Sequence, residues 1–235
     1  MKSTERAFWC VVAAAGSGTR FGSGSPKQYA TLAGKPMLAW TLERLVAHPR
    51  IAGVMVVHAA DDAYWPHLSI SRDPAVRETT GGASRADSVL AGLRALGDTV
   101  SAPDFVLVHD AARPCVPAAD ISRLVDLGVP AGGALLAAPL RDTLKRAEDG
   151  QRVAATEPRD ARWRAFTPQL FRHGELVAAL EAARAAGIDI TDEAMAMERA
   201  GHRPLLVEGS ERNIKITTRD DLALAEFLLR GQGAC

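Results

Sequence analysis

Short apolar runs alternate along this chain with stretches in which apolar residues recur every three or four positions. FWCVVAAA (8–15), VMVVH (54–58), DFVLVH (104–109) and GALLAAP (133–139) show little polar alternation and read as strands buried on both faces. Between them, Leu38, Leu42, Leu45 and Val46 fall at helical spacing, as do Ala86, Val89, Leu90 and Leu93. Strand–helix alternation of this kind predicts an α/β fold, a mainly parallel sheet covered by helices on both sides. Such sheets bind ligands beyond the carboxyl ends of their strands, so loops 16–28, 80–88 and 110–117 are the ones to read for function.

The period changes at residues 139–168. APLRDTLKRAEDG and QRVAATEPRDARWRAFTP alternate apolar and polar positions around Asp149-Gly150, which predicts a β-hairpin arm. After the arm, helices are expected at about 173–187 and 192–200, a strand at 204–208 and a closing helix at about 218–230. No repeat, low-complexity tract or linker interrupts the sequence, so residues 1–235 read as a single domain carrying a protruding arm.

Composition narrows the function. Lys+Arg and Asp+Glu each number 28, so the formal charge is zero, and aromatics are only 5%. A nucleic-acid or anionic-membrane surface needs a basic excess, and a single-strand platform needs aromatics. Neither is expected, and any anion site must be built from a few placed cations. Cys10, Cys115 and Cys235 form no C-x-x-C pair, which argues against a zinc site or disulfide framework and fits a reducing cytoplasm. Phe8–Ala15 has the outline of a short signal segment, but the residues directly after it are too specialised for a cleavage scar. No stretch approaches a membrane span in length.

Those residues are Gly16-Ser17-Gly18-Thr19-Arg20, followed by Pro26-Lys27. Glycines let backbone N–H groups approach an anion, and the cations compensate its charge; without a ligand the same stretch is a tight strand-to-helix turn. A P-loop requires Gly-Lys-Ser/Thr, which is missing. A dinucleotide site requires an acidic residue about 20 positions on, whereas the next acidic residues beyond a strand are Asp61 and Asp62. Pro26 pushes Ser25 into extended geometry, so Lys27 is presented outward.

Further motifs follow in order: Gly81-Gly82-Ala83-Ser84-Arg85-Ala86-Asp87-Ser88, His109-Asp110-Ala111-Ala112-Arg113-Pro114, Arg141-Asp142-Thr143, Thr167-Pro168-Gln169, Ile190-Thr191-Asp192-Glu193-Ala194 and Asn213-Ile214-Lys215-Ile216-Thr217. Together with G-x-G-T-R and P-K they resemble the 2-C-methyl-D-erythritol 4-phosphate cytidylyltransferases, over residues 8 to about 230. The resemblance implies a Rossmann-like three-layer αβα nucleotidyltransferase fold with a protruding β-arm. It implies transfer of a cytidylyl group from CTP to 2-C-methyl-D-erythritol 4-phosphate, releasing pyrophosphate, in non-mevalonate isoprenoid synthesis.

By that resemblance Arg20, Lys27, Arg159 and Lys215 are catalytic. Ala14, Ala15, Gly16, Gly18, Thr19, Gly82, Arg85 and Ser88 bind CTP, and Asp110, Arg113, Thr143 and Thr191 bind the second substrate. Mg²⁺ is expected as the divalent cation, held mainly by the triphosphate. A homodimer is implied, in which the arm delivers Thr143 and Arg159 to the partner's site. Ala83 stands where relatives often carry an acidic residue, which puts one side-chain contact to the base in doubt.

Plainer readings stand beside several of these. Ser84 suffices to cap the helix after it, Thr191 to cap another, and Asp110 and Arg113 to satisfy each other. The arm has its own alternative in packing back on its own domain. His109, ending a buried strand, reads as a packed residue rather than a base. Other functions remain: a cytidylyltransferase for another polyol phosphate such as ribitol 5-phosphate, or a non-catalytic nucleotide-binding module. A fused downstream cyclase is not expected, since the sequence stops just after the closing helix.

Overall fold

The computed structural model describes residues 8–16 and 26–231. A seven-stranded sheet runs through the molecule in the order β11-β7-β10-β6-β1-β4-β5. Its strands are β1 (Phe8–Ala13), β4 (Ile51–His58), β5 (Val76–Thr80), β6 (Phe105–Asp110), β7 (Gly133–Pro139), β10 (Trp163–Arg172) and β11 (Leu205–Glu208). Strands β2 (Thr31–Leu32) and β3 (Lys35–Pro36) form a small separate pair. β10 lies antiparallel to both β6 and β7, while the β1–β4, β1–β6, β4–β5 and β7–β11 pairings are parallel. Six strands therefore point one way, and their carboxyl ends share one edge.

Successive residues of the central strands face opposite layers, as pleating requires. Cys10, Val12, Val54, Val56 and Leu107 pack with Leu38, Leu42 and Leu45 of α1 (Met37–Val46) and with Ile121, Leu124 and Val125 of α3 (Ala118–Ala131). Val11, Met55, Val57, Val106 and Val108 pack instead with Val89, Leu90 and Leu93 of α2 (Arg85–Ala95), Leu176 and Leu180 of α4 (His173–Ala185), and Met197 of α5 (Glu193–Arg199). This is the three-layer αβα arrangement. The closing helix α6 (Asp220–Arg230) adds a third cluster, with Ala225 and Leu229 against Trp40, Cys115 and Ile216.

The arm is a two-stranded antiparallel ribbon, β8 (Leu144–Glu148) and β9 (Arg152–Glu157), turning through Gly150 and Gln151 at positive φ. Its boundaries are narrower than 139–168. Pro139 still belongs to β7, and residues 163–168 belong to β10 in the main sheet, where Trp163 pairs with Pro139 and Arg164 with Ala138. Every residue of β8 is exposed, and Val153 is 63% exposed. Among the described residues the ribbon is therefore not folded back onto the domain.

Candidate functional site

The sheet order reverses between β1 and β6. The chain leaves β1 towards α1 and β4 on one side, and leaves β6 towards α3 and β7 on the other. The two connections diverge and leave a crevice above the strand ends, the position at which open α/β sheets hold ligands. A cleft of about 610 Å³ occupies it. It is lined by the end of β1 (Ala13 to Gly16), by Lys27 and Gln28, by Gly82 to Arg85 with Ser88, by Asp110 to Ala112, and by Lys215 and Thr217. All three loops singled out in the sequence meet here.

One wall is backbone. β1 stops at Ala13, and Gln28 Nε2 donates to Ala14 O at 2.7 Å, drawing the chain after the glycine loop back against the strand end. The neighbouring Tyr29 Oη donates to Asp62 Oδ2 at 2.6 Å, so the turn Lys27–Tyr29 is held on two sides. Lys27 Nζ donates to Ile216 O at 2.8 Å, bringing together residues 189 positions apart. Arg20, Gly18 and Thr19 lie outside the described residues.

The opposite wall is the start of α2. Ser84 caps this helix by accepting from Asp87 N at 3.0 Å. Ser88 Oγ donates to Ser84 O at 2.9 Å and accepts from Gly82 N at 3.2 Å, which fixes the Gly81-Gly82 turn across the helix end. The turn requires glycine for space: a Cβ on Gly82 would sit 2.5 Å from Asp87 Cβ, and one on Gly81 would sit 2.5 Å from Ala15 Cβ. Ala83 is exposed and lines the cleft without a polar side chain to offer.

Charge is concentrated at the floor. Asp110, 7% exposed at the carboxyl end of β6, meets three cations. Arg85 Nε reaches its Oδ1 at 3.1 Å, while Lys215 Nζ at 3.0 Å and Arg113 Nε at 3.3 Å share its Oδ2. Burial alone would raise the Asp110 carboxyl, but Arg85, Lys215 and Arg113 outweigh it and hold the group well below the usual carboxylate range. Arg85 also forms a two-pronged contact with the buried Glu193, at 2.7 and 3.1 Å.

Behind the floor lies a neutral chain of hydrogen bonds. His109 is fully buried, with Nε2 3.1 Å from Arg113 O and Nδ1 2.9 Å from Thr167 Oγ1. A carbonyl can only accept, so Nε2 carries the proton and Nδ1 accepts from the Thr167 hydroxyl. Thr167 Oγ1 in turn accepts from Asp110 N at 3.0 Å. Burial lowers His109 to about 4, so the ring is a neutral strut at physiological pH, as its position on a buried strand implied.

Other expected site residues lie outside the lining of this cleft. Arg113 is 7% exposed and does not line the cleft; besides Asp110 it donates to Asn213 O at 2.7 Å, so the internal Asp–Arg pair is the arrangement found. Thr191 is exposed, outside the cleft lining, and does not cap α5. Asp192 does so, because its carboxylate is the group within reach of Met195 N, at 2.9 Å. Thr143 and Arg159 are exposed on the arm, away from this chain's own cleft, and Arg159 donates to Arg141 O. Gln28, Thr167, Glu193 and Thr217 were not foreseen. Gln28 stood beside Lys27, and Thr167 and Glu193 lay inside quoted motifs, but no spacing rule marked them.

Among the described residues no three of His, Cys, Asp and Glu cluster as a metal cage, and Asp110, the carboxylate lining the cleft, is already shared among three cations. No helix of the described residues is long and apolar enough to cross a membrane.

Comparison with known proteins agrees with this geometry. The family model for 2-C-methyl-D-erythritol 4-phosphate cytidylyltransferase (IspD) matches residues 8–231. The protein of that name from Stenotrophomonas maltophilia is 58% identical over 224 residues, covering 95% of this chain and 97% of the relative. Its counterpart from Xanthomonas euvesicatoria is 56% identical over 230 residues, covering 97% and 87%. The crystal structure of the Francisella tularensis enzyme superposes with a TM-score of 0.83 at 34% identity, covering 95% of this chain and 100% of that one. The chain belongs to the 2-C-methyl-D-erythritol 4-phosphate cytidylyltransferase family.

Proposed function

We propose that the cleft between β1, α2 and β6 is where this enzyme transfers a cytidylyl group from CTP to 2-C-methyl-D-erythritol 4-phosphate. The observation that carries this reading is the convergence of Lys27, Lys215 and Arg85 on one cleft that is otherwise lined mainly by small residues, with Gln28 and Asp110. Backbone at Ala14, Ala15, Gly16 and Gly82, with Ser88 and Arg85, would receive the nucleotide. With Ala83 in place, base selection rests on backbone groups and Ser88.

In the reaction, an oxygen of the substrate phosphate attacks the α-phosphorus of CTP, a new P–O bond forms, and the bond to the β-phosphate breaks to release pyrophosphate. The attacking phosphate has a second pKa of about 6, so it is largely dianionic at neutral pH and needs no general base. That suits a cleft behind whose floor His109 is a buried neutral strut. The protein's task is to bring two polyanions into line and to balance charge at the transferring phosphorus. Lys27, held by Ile216 O, and Lys215, held by Asp110, are presented for this, and Arg20 is read as a third cation with the same task. A magnesium ion held mainly by the triphosphate would supply further neutralisation of its charge.

Asp110 organises the floor, and Arg113 acts by holding Asp110 and the Asn213 carbonyl. Thr143, Arg159 and Thr191 are read as contacts to the second substrate, with Thr143 and Arg159 supplied to a partner's cleft in a homodimer. The exposed arm supports this, because it leaves from the same sheet edge as the cleft and β8 is exposed along its whole length. The whole chain then works as one cytidylyltransferase unit. Cys10 and Cys115, both buried, suit a reducing cytoplasm. Pyrophosphate release from CTP with magnesium and either 2-C-methyl-D-erythritol 4-phosphate or ribitol 5-phosphate tests the reading. Turnover only with ribitol 5-phosphate would leave the reaction type and overturn the substrate.

A further inference from the structure

Glu193 has no role in the reaction as described so far, yet it is 0% exposed and both of its carboxylate oxygens are bonded to Arg85. A buried ion pair is a poor way to stabilise a fold, since two apolar residues of similar volume often do as well. Its surroundings give it a different character. Glu193 is the first residue of α5, and the residues on either side of it are fastened to β10. Gln169 Nε2 donates to Asp192 Oδ2 at 3.0 Å, and Ala194 N donates to Gln169 Oε1 at 2.7 Å. Asp192 also caps the helix through Met195 N. The carboxylate of Glu193 is thus mounted on a backbone that the main sheet fixes from both sides.

Arg85, by contrast, is the first residue of α2 at the open cleft, on a long flexible stem, with its side chain 27% exposed. A guanidinium there has two anions within reach besides Glu193: Asp110, and any phosphate that enters. We infer that Glu193 is a positioning residue for the transfer reaction, its buried carboxylate holding the Arg85 fork so that Arg85 takes only Asp110 Oδ1 and leaves Oδ2 to Lys215 and Arg113. Without that restraint Arg85 swings onto the incoming triphosphate or crowds Asp110, and Lys215 loses the partner that aims it. The inference rests on the reading of the cleft as the site of cytidylyl transfer.

The test is steady-state kinetics of Glu193→Gln, Arg85→Gln and the double variant, each normalised to the folded fraction from thermal melts. Glutamine keeps the volume but turns an NH₂ group towards the guanidinium, so the two-pronged contact cannot form. Misplacing a group near the reacting atoms costs on the order of 10²-fold, and Glu193→Gln is expected to lower kcat/KM by about that factor. Because Glu193 acts through Arg85, adding Glu193→Gln to Arg85→Gln should change kcat/KM by less than about threefold, two amides being able to satisfy each other. An equal penalty in both backgrounds would overturn the inference, and so would a loss that vanishes on correction for folded enzyme. A wild-type protein that turns over no CTP fails the reading of the cleft; an active wild type with an unaffected Glu193→Gln fails the inference alone.

Discussion

Replacing Asp110 by Asn leaves the shape of the cleft floor and removes its central charge. Three cations lie 3.0–3.3 Å from this carboxylate, whose side chain is 9% exposed. At an effective dielectric near 20, each contact represents about 5 kcal/mol of gross attraction, much of which desolvation opposes. Breaking a buried pair by removing one partner costs about 3–5 kcal/mol net, because the remaining charge is left uncompensated. For a domain of this size that predicts a fall in Tm of about 6–20 °C by calorimetry or circular dichroism. Added pyrophosphate should restore more stability to Asp110→Asn than to the wild type, since the anion replaces the missing charge. The pH dependence has a definite sign. The folded carboxyl is depressed, so its contribution is present above the unfolded pKa of about 3.9 and is lost as pH falls through the lower folded value. Asp110→Asn should flatten that acid limb. A Tm within about 2 °C of wild type, with an unchanged acid limb, would refute the reasoning.

Lys27→Ala should lower turnover by roughly 10²–10³-fold with little change in Tm, measured by pyrophosphate release, as for other preorganised charge stabilisers. His109 is held down at about 4, so the stability it contributes, about 3 kcal/mol, is complete above about pH 6.5 and drains away as pH falls towards 4. Equilibrium unfolding across that window, wild type against His109→Gln, checks it. Gly82→Ala should weaken CTP binding by calorimetry, because its Cβ meets Asp87 Cβ at 2.5 Å and the start of α2 must shift. If arms are exchanged, mixing Lys27→Ala with Arg159→Ala protein rebuilds one intact site per mixed dimer and recovers about a quarter of wild-type activity; no recovery would refute the exchange.

The parallel core was legible because its strands are apolar on both faces, and the hairpin because alternation and an Asp-Gly turn mark one directly. β10 was harder: WRAFTPQLFR carries Pro168 and polar residues in mid-strand, and half of it reads as a continuation of the arm. β5 is an edge strand and mostly polar, while α3 is bounded by Pro117 and holds Pro130 in its last turn. At the site, the residue types and loops were readable, but the pairings were not. Arg85 meets Glu193 across 108 positions and Lys27 meets Ile216 across 189, distances at which no local pattern survives. For the same reason the sequence did not show that Arg113 also donates to the Asn213 carbonyl, 100 positions away.

The central claim is that this cleft brings CTP and 2-C-methyl-D-erythritol 4-phosphate into line by charge placement alone. The most direct measurement is the pH profile of kcat for pyrophosphate release with magnesium, compared between wild type and Lys27→Ala. The account predicts a single acid limb near pH 6, set by the substrate phosphate, at the same pH in both proteins, with the plateau of Lys27→Ala depressed about 10²-fold or more. An acid limb that disappears in His109→Gln, or a Lys27→Ala enzyme with near wild-type turnover, would contradict it.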